Sequence, residues 1–527
     1  MIVSLGHGKV GVLGANAKSA AAMSEEFVAL DNRMLHDTAF AMASHPFGYL
    51  FSGDGLPEDD KAFDKLRRLG EAMISDGGQM MGPSGNPAIH TYFGQFVDHD
   101  ITLNTDADPD KLPDLAINRP DGKLVLNSRD EVTRALKNGR HPALNLDSVY
   151  GDGSDREAKL RDGARMRIGE TLGGKPNDLP RFFQIEGEED TVRQNTAIHP
   201  STAYIGDGRN DENLIVAQLH LAFLRFHNAV VDWLDENEPD LDEEAKFARA
   251  RDLTTLHYQW LVANVYLPAI CDADALQAVR NVDARLYCDF ARDNPGLMPL
   301  EFSVAAFRFG HSMIRHEYRF NANFPNASVM TLLRFTGGDP TDLVDNRLPD
   351  EWIIDWRNFL DSANTNLAAR PTDSRLAQGL DNLLRRAPEL RNLPVSNLRR
   401  SYVLNIPTAQ SVLTELADIE PLTDDDLVSF AGGIIRELGY LEDTPLWLYL
   451  LVEAETRGGG TNLGPLGTTI VASTLLGLLV QDSASFWHRR TGKAASWHPA
   501  DAQMTDKPID SFERFLRFAG VLEGDDE

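Results

Sequence analysis

The stretch of residues 91–100, Thr-Tyr-Phe-Gly-Gln-Phe-Val-Asp-His-Asp, constrains the fold of this chain more than any other. In a helix, Gln95, Asp98 and His99 are spaced i, i+3 and i+4, so they share one face. Asp100 follows about 100° further round the helix and faces a different neighbour. The remaining residues are mainly apolar, which predicts a buried segment. Because buried polar groups are costly without partners, the rest of the chain must supply partners to this helix.

The composition is typical of a soluble globular protein and excludes some classes of partner. The chain has 527 residues, of which 42% are hydrophobic and 25% charged. Its 80 acidic and 51 basic residues give a net charge of −29, which argues against nucleic acid and anionic membrane surfaces as partners. The two cysteines, Cys271 and Cys288, form no CxxC pair, and so low a count mildly favours a reducing compartment.

No targeting or membrane segment is expected. The N-terminus lacks a basic region followed by a long apolar core, so no secretory signal peptide is predicted. Cytoplasmic location and export by another route both stay open. The longest apolar run, residues 468–480, is too short to span a bilayer, and we predict a buried helix there. The sequence leaves the oligomeric state open.

The hydrophobic spacing predicts a mainly α-helical protein: one large helical domain with long irregular connections and few short strands. Helices are expected near residues 60–75, 89–103, 213–233, 242–268, 424–438, 445–456 and 466–487. Residues 31–520 are assigned to this domain. A flexible N-terminal arm, residues 1–30, precedes it, and an acidic tail, residues 521–527, follows.

A glycine pattern near the N-terminus imitates a dinucleotide-binding motif. Gly6, Gly8 and Gly11 form GxGxxG behind a short apolar stretch. A dinucleotide fold would need a helix opening at the third glycine and a second strand ending in an acidic residue. No second strand follows, so a nicotinamide cofactor is not expected.

Residues 141–151, His-Pro-Ala-Leu-Asn-Leu-Asp-Ser-Val-Tyr-Gly, place oxygen-bearing side chains beside turn-forming residues. Alternating oxygen ligands such as Asn145 and Asp147 suit a hard cation. An Asx-turn before a strand or helix explains the same residues. The local sequence alone favours the turn.

Two further segments carry charged or titratable residues beside apolar helices. Residues 206–212, Gly-Asp-Gly-Arg-Asn-Asp-Glu, precede a predicted helix that Asn210 or Asp211 would cap. Arg209 and Glu212, three apart, face one cavity or form a local ion pair. Residues 300–314 are apolar on nearly all sides but contain Arg308 and His311. Because Gly310 lets a flat group approach the backbone, this histidine is interpreted as a ligand rather than a core residue.

One cofactor accounts for two histidines in apolar segments and several arginines, and that cofactor is haem. Haem iron takes a neutral imidazole on one side and leaves the other open for peroxide. Cleavage of the O–O bond needs a base that moves a proton between the oxygens and a cation that stabilises negative charge. Histidine and arginine supply these functions, and further arginines would bind the haem carboxylates.

These segments resemble, in order, the motifs of the animal-type haem peroxidases, a family that includes myeloperoxidase, lactoperoxidase and, more distantly, the cyclooxygenases. The resemblance covers roughly residues 80–490, and the low cysteine count is similar to bacterial-type members. It implies that His99 is the distal acid–base, that Gln95 lines a halide or water site, and that Arg209 is the distal arginine. His311 would bind the iron of haem b.

The same resemblance implies further contacts to haem. Asp98 and Glu212 would be the two carboxylates that can form esters with haem methyl groups. Asn397 would hydrogen-bond the proximal imidazole and tune its basicity. Arg308 would lie near a haem propionate, and Arg400 would bind one.

Calcium is also implied by the resemblance. The expected ligands are Asp100, His141, Ala143, Asn145 and Asp147. His141 stands where the family has Thr, and Asn145 where it usually has Asp, so weaker or absent binding is expected. A second departure is Asn213, which follows Glu212 where myeloperoxidase has Met. This excludes a sulfonium link to haem, and a reduced capacity for chloride oxidation is expected.

The expected function is reduction of hydrogen peroxide with oxidation of halides, thiocyanate or small aromatic donors. A fatty-acid dioxygenase of the cyclooxygenase lineage is the alternative. Enzymes of that lineage have a radical-forming Tyr three residues before the proximal His. By the same resemblance, this chain has Arg308 at that position. A non-catalytic haem-binding or adhesion module is a third alternative, but adhesion would need none of His99, Arg209 and His311.

Overall fold

The computed structural model describes residues 45–74, 84–106, 116–117, 121–151, 157–188, 199–334, 336, 343, 345–364, 367–383, 391–489 and 496–523. Within these residues the protein is mainly α-helical with a few short strands, as the sequence predicts. The predicted N-terminal arm, its glycine pattern and the last four residues of the acidic tail lie outside the described residues.

The helices are distributed along the whole described chain. In chain order the α-helices are α1 Ala62–Ala72, α2 Ile89–Ile101, α3 Arg129–Ala135, α4 Asp147–Tyr150, α5 Leu214–Asn237, α6 Glu243–Leu261, α7 Leu267–Ile270, α8 Ala273–Asn281, α9 Arg285–Phe290, α10 Arg357–Leu360, α11 Leu393–Val403, α12 Ala409–Glu415, α13 Asp424–Ser429, α14 Ile434–Leu438, α15 Leu446–Arg457, α16 Pro465–Gln481 and α17 Phe512–Phe518. Short 3-10 turns cover Glu157–Leu160, Phe182–Gln184, Gly208–Asp211, Ala306–His311, Val329–Leu333, Asp350–Trp352, Phe430–Gly433 and Pro499–Ala502, and π-helical turns cover Val262–Tyr266 and Glu301–Ala305.

The strands are short, with two to four residues each. They are β1 His45–Gly48, β2 Asn104–Asp106, β3 Leu136–Asn138, β4 Arg161–Asp162, β5 Arg165–Met166, β6 Met298–Pro299, β7 Glu317–Tyr318 and β8 Ala327–Ser328. Four of them form a sheet in the order β2-β3-β1-β6, in which only the β1–β6 pair is parallel. This sheet joins the chain after α2 to the segment that precedes Glu301–Ala305.

Helix α5 lies at the centre of the core and packs against α2, α6 and α17. It is long and apolar enough to cross a membrane by length and composition alone, and 83% of its most apolar window is buried inside the protein. Asn213 caps it, because the Asn213 side chain accepts a hydrogen bond from the Val216 amide at 3.0 Å. The predicted caps, Asn210 and Asp211, are wrong, since Gly208–Asp211 forms a separate turn capped by Asp207.

Two predicted helices differ from the structure where glycine or proline interrupts regular hydrogen bonding. The helix expected over 424–438 is divided into α13 and α14, with Gly433 at φ +89° between them. This left-handed conformation favours glycine and ends an α-helix. The helix expected over 242–268 passes through the π-helical turn Val262–Tyr266 just before Pro268, which has no amide hydrogen to donate.

The histidine-bearing segment 300–314 is helical but not α-helical. A π-turn, Glu301–Ala305, leads into a 3-10 turn, Ala306–His311. Side chains three apart eclipse one another in a 3-10 turn, so Arg308 and His311 lie on one face. The buried Glu301 carboxylate anchors the segment by accepting the Leu50 and Phe51 amides at 2.9 and 3.1 Å. Burial raises the pKa of Glu301 to about 7.

Candidate functional site

Helix α2 and the turn Ala306–His311 form two walls of one pocket. Gln95 and Asp98 line it from α2, and Arg308, Gly310 and His311 line it from the opposite segment. The predicted distal and proximal motifs, distant in sequence, therefore meet at one site. His99, the next residue on α2, was predicted to share this face, but it is fully buried and is not among the residues that line the pocket.

Asn210 holds the imidazole of His99 in one tautomer. His99 Nδ1 lies 2.8 Å from Asn210 Oδ1, and Asn210 Nδ2 lies 3.0 Å from His220 Nδ1. Because the amide oxygen only accepts, His99 Nδ1 carries the proton and Nε2 is the basic nitrogen. Burial and then the charge of Arg209 lower the pKa of His99 to about 3. His99 is therefore neutral near pH 7, which suits a proton acceptor.

Arg209 is fixed between Asp207 and the C-terminal end of α2. Its Nε and Nη2 donate to the Asp207 carboxylate at 3.1 and 2.7 Å. Nη2 also donates to the carbonyl oxygens of His99 and Thr102, at 2.8 and 2.6 Å. Although burial favours the neutral acid, Arg209 and Arg140 hold the pKa of Asp207 well below its usual range. Arg209 Nη1 takes part in none of these bonds.

Gln95 and the residue that replaces the expected Met contact one another. Asn213 Nδ2 donates to Gln95 Oε1 at 3.1 Å, while Asn213 Oδ1 caps α5. This side chain therefore couples the first turn of α5 to the pocket face of α2. Neither the contact of Asn213 with Gln95 nor that of His220 with Asn210 was predicted, and no motif in the sequence indicated them.

The two predicted ester-forming carboxylates have different environments. Asp98 is 8% exposed, lines the pocket and accepts a hydrogen bond from Thr102 Oγ1 at 3.0 Å. Burial raises its pKa, and the charges of Arg209 and Arg308 oppose that rise. Glu212 is partly exposed, follows the turn Gly208–Asp211, and is close enough to Arg209 to raise that group's pKa.

The opposite wall holds His311 through Asn397. Asn397 Nδ2 lies 2.9 Å from His311 Nδ1, and Arg308 Nη1 donates to Asn397 Oδ1 at 2.6 Å. Arg308 Nε also donates to the Ser303 carbonyl at 3.1 Å. Since Nδ1 contacts Asn397, a metal ion would bind His311 through Nε2. The Asn397 amide is oriented by both contacts, since its oxygen accepts from Arg308 and its nitrogen faces His311 Nδ1.

Arg400 lies on α11, three residues after Asn397, and is buried like it. The i, i+3 spacing puts both side chains on one face of the helix. Helix α11 packs against the π-turn Glu301–Ala305, which precedes the proximal segment, and against α1. Arg400 thus brings a buried guanidinium to the proximal side of the protein.

The pocket residues fit a haem group. A Cβ added at Gly310 would meet no atom within 4 Å, so a flat ring has room beside this backbone. Two buried polar atoms in the lining, His90 Nδ1 and Thr91 Oγ1, have no hydrogen-bond partner among the described residues. The lining carries the imidazoles of His90 and His311, the buried guanidinium group of Arg308 and the buried carboxylate of Asp98. These groups suit an iron-bearing ring that carries propionates.

Several polar groups of the predicted calcium ligands in the 141–151 loop contact the protein itself. His141 is exposed, and its ring centroid lies 4.8 Å from that of His45. The His141 carbonyl accepts the Ala143 amide at 2.8 Å. Asn145 Oδ1 accepts the Asp147 amide at 3.3 Å.

The two carboxylates of the predicted calcium site are also engaged. Asp147 Oδ1 lies 3.9 Å from Arg251 Nη2. Fully buried Asp100 accepts the Leu146 and Ser148 amides with its two oxygens, both at 3.1 Å. Asp100 was predicted to face a different neighbour from Asp98 and His99, and that neighbour is this loop. Burial and then the nearby Asp147 carboxylate raise the pKa of Asp100 to about 6, and Ser148 Oγ in the same loop is buried without a hydrogen-bond partner among the described residues. Calcium binding by this loop stays a prediction.

Comparison with known proteins places the site in a family context. A sequence model described as animal haem peroxidase matches residues 65–507. A chorion peroxidase from Aedes aegypti is 28% identical over 347 residues, which are 64% of this chain and 40% of that protein. A thyroid peroxidase from Rattus norvegicus is 26% identical over 391 residues, 69% of this chain and 40% of that protein. The chain spans less than half the length of these relatives.

Solved structures share the fold over most of the chain. Peroxidase A from Dictyostelium discoideum superposes with a TM-score of 0.60 at 17% identity, covering 92% of this chain and 94% of that chain. A fatty acid alpha-dioxygenase from Oryza sativa superposes with a TM-score of 0.51 at 14% identity, covering 90% of this chain and 80% of that chain. At such low identity these likenesses establish the fold alone.

Proposed function

The chain belongs to the animal haem peroxidase family, and on that premise we propose that it binds haem b, reduces hydrogen peroxide and oxidises small donors. One observation carries the proposal: a single pocket is lined by residues from both the Gln95–Asp98 face of α2 and the Arg308–His311 turn. Each histidine contacts an asparagine amide through Nδ1, so both are oriented to act through Nε2.

The proximal side would hold the cofactor. His311 would bind the iron through Nε2, with Asn397 behind the ring at 2.9 Å. Arg308 and Arg400, both buried, would offer positive charge to the haem propionates. Asp98 and Glu212 would be the carboxylates available for ester links, Asp98 from the pocket wall itself.

When bound, haem would supply the iron that takes up a peroxide oxygen and the electrons that reduce it. The chain's own contribution is proton transfer and charge stabilisation. His99 Nε2 would accept the proton of the peroxide oxygen that approaches first and deliver it to the oxygen that leaves as water. The Asn210 hydrogen bond keeps the proton on Nδ1, so the basic nitrogen is prepared before the substrate arrives.

Arg209 would stabilise the negative charge that develops as the O–O bond breaks. Its guanidinium is fixed by Asp207 and by two carbonyl oxygens of α2, so little reorganisation is needed during the reaction. Gln95, held by Asn213, would bind a water or halide on the same side. The proposed donors are halides, thiocyanate and small aromatic compounds.

The alternative functions receive less support from the site. A dioxygenase of the cyclooxygenase lineage would be expected to have Tyr three residues before the proximal His. Here Arg308 occupies that position and is tied to Asn397. A non-catalytic adhesion module would not need His99 kept neutral and in one tautomer.

A steady-state assay tests the proposal. Haem-reconstituted protein is mixed with hydrogen peroxide and iodide, bromide, thiocyanate or a small phenol, and product formation is followed. His99→Ala should lower the rate by about 10²–10⁴-fold, the usual contribution of a positioned acid–base. The matched control is His316→Ala, an exposed histidine whose ring bonds the Gln378 carbonyl and which should leave the rate unchanged. Equal rates for the wild type and His99→Ala would reject the assignment.

A further inference from the structure

A second buried histidine lies behind the amide that holds His99. His220 is on α5, which packs against α2 and against the turn Gly208–Asp211. His220 Nδ1 lies 3.0 Å from Asn210 Nδ2, and Asn210 Oδ1 lies 2.8 Å from His99 Nδ1. All three residues are fully buried, so bulk water does not compete for these two hydrogen bonds.

The Asn210 amide gives this chain of hydrogen bonds a direction. The nitrogen of an amide only donates, and its oxygen only accepts. Because Asn210 Nδ2 faces His220 Nδ1, that ring nitrogen is unprotonated and the proton of His220 lies on Nε2. Because Asn210 Oδ1 faces His99 Nδ1, the proton of His99 lies on Nδ1. The two imidazoles therefore carry their protons on different nitrogens.

His220 acts on its surroundings as a neutral ring. Burial lowers its pKa to about 3, although the charge of Asp207 opposes that fall, so the ring holds one proton near pH 7. Its Nε2 has no hydrogen-bond partner among the described residues. Either tautomer leaves Nε2 without a partner there, so the polar contact through which His220 acts is the one with Asn210.

Turning the Asn210 amide over would reverse both proton positions together. Nδ2 would then face His99 Nδ1, which would have to be unprotonated, and the proton of His99 would move to Nε2. The oxygen and nitrogen of an amide have nearly the same size, so packing alone does not choose between the two orientations. The choice depends on the group at the far end of the amide, and that group is His220.

We propose that His220 is a positioning residue, which accepts from Asn210 Nδ2 and so keeps the amide in the orientation that leaves His99 Nε2 unprotonated. His220 does not line the pocket and acts through Asn210 alone. The proton positions hold whether or not the protein is a peroxidase. Only the consequence for the rate of the peroxide reaction rests on the proposed function.

Nuclear magnetic resonance of the wild type tests the proton positions directly. The full chain is labelled with ¹⁵N-histidine and loaded with zinc protoporphyrin, which is diamagnetic, and the ¹⁵N shifts of the ring nitrogens are recorded at pH 7. If no porphyrin binds, the chain is measured as purified. Signals are assigned by their loss in His99→Gln and His220→Asn. We expect the proton on Nδ1 of His99 and on Nε2 of His220. Finding both protons on the same type of nitrogen overturns the proposal.

Two variants of similar shape test the role of the acceptor. His220→Asn places an amide oxygen near the former position of Nδ1, so His99 should keep its wild-type tautomer. His220→Leu offers no acceptor, and the ratio of Nδ1-protonated to Nε2-protonated His99 should fall by about 5-fold or more, the factor that one net hydrogen bond supplies. An unchanged His99 tautomer in His220→Leu overturns the proposal. The wild-type spectrum decides even if neither variant folds.

The matched control is His257→Leu, which removes another fully buried histidine. His257 Nδ1 bonds the Leu253 carbonyl of its own helix at 2.8 Å and has no contact with Asn210. This variant should leave the His99 signals as in the wild type, and a shift as large as that in His220→Leu would reduce the effect to general loosening and overturn the proposal.

The peroxide reaction separates this proposal from the proposed function. At equal haem content, His220→Leu should react with hydrogen peroxide about 5-fold more slowly than His220→Asn. If the tautomer of His99 shifts as expected but no form of the protein reacts with peroxide, the proposed function fails and the role of His220 stands. Equal rates in the two variants despite a shifted tautomer would overturn the link between His220 and proton transfer.

Discussion

Replacing Asn210 tests how this chain prepares His99 for proton transfer. The Asn210 amide is fully buried and connects His99 Nδ1 at 2.8 Å to His220 Nδ1 at 3.0 Å. Asn210→Ala removes the acceptor from one histidine and the donor from the other. The backbone of Asn210 already bonds Asp207 and stays in place. The substitution therefore acts mainly on the orientation and protonation of the two rings.

The magnitudes follow from the two lost hydrogen bonds. A buried donor or acceptor without a partner costs about 1–3 kcal/mol, so the free energy of unfolding should fall by about 2–4 kcal/mol. The preference of His99 for a proton on Nδ1 rests on a bond worth about 1 kcal/mol net. Losing it should slow the reaction with peroxide about 5–10-fold, well short of the roughly 10²–10⁴-fold expected for His99→Ala.

The assay is the rate of the peroxide reaction in haem-reconstituted protein between pH 4 and 8, at matched haem content. Asn210→Asp is the informative companion, because it keeps an acceptor for His99 and adds a negative charge. That charge should raise the pKa of His99 above about 3, so the rate should fall at a higher pH than in the wild type. A folded Asn210→Ala protein that reacts at the wild-type rate throughout this range would refute the reasoning.

Three further predictions concern the pocket and its surroundings. Burial lowers the pKa of His90 to about 4. As pH falls below 6.5, His90 therefore binds a proton in the unfolded chain but stays neutral in the folded chain. Between pH 7 and 5 the wild type should therefore lose about 2 kcal/mol of unfolding free energy that His90→Phe retains, and equal losses in urea titrations would contradict this. After exposure to peroxide, Asp98→Asn and Glu212→Gln should each form one haem ester fewer than the wild type, as measured by the mass of haem-bearing peptides. If acidic acetone extracts all of the haem from the wild type, such ester links are excluded. Asn213→Met should lower the free energy of unfolding by about 1–2 kcal/mol through loss of the α5 cap, and an unchanged value would show that this cap is dispensable.

The helices and the opposing walls of the pocket were predictable because they depend on local spacing. The polar face of α2 and the apolar segment around His311 each required a buried partner, and the structure brings them to one pocket. The predicted helix 89–103 agrees with Ile89–Ile101. The separate direction of Asp100 is likewise confirmed by its bonds to the Leu146 and Ser148 amides.

The parts that were not predicted depend on contacts between distant residues. Asn210 was interpreted as a helix cap, and only the folded chain shows that its amide lies between two histidines. The contacts of the oxygen-rich loop were not predicted either, because composition does not show which way each oxygen points. Arg140, adjacent to the loop in sequence, carried no motif and attracted no assignment. Its importance follows from burial beside Asp207.

The central claim is that His99 and His311 act on opposite sides of one bound haem. Haem-reconstituted protein is mixed with one equivalent of hydrogen peroxide in a stopped-flow spectrometer, and iodide or bromide is added afterwards. The account predicts a rapid shift of the Soret band that the halide reverses. It further predicts a retained but peroxide-insensitive band in His99→Ala and impaired haem binding in His311→Ala. A wild-type Soret band that does not move, or two variants that behave like the wild type, would contradict it.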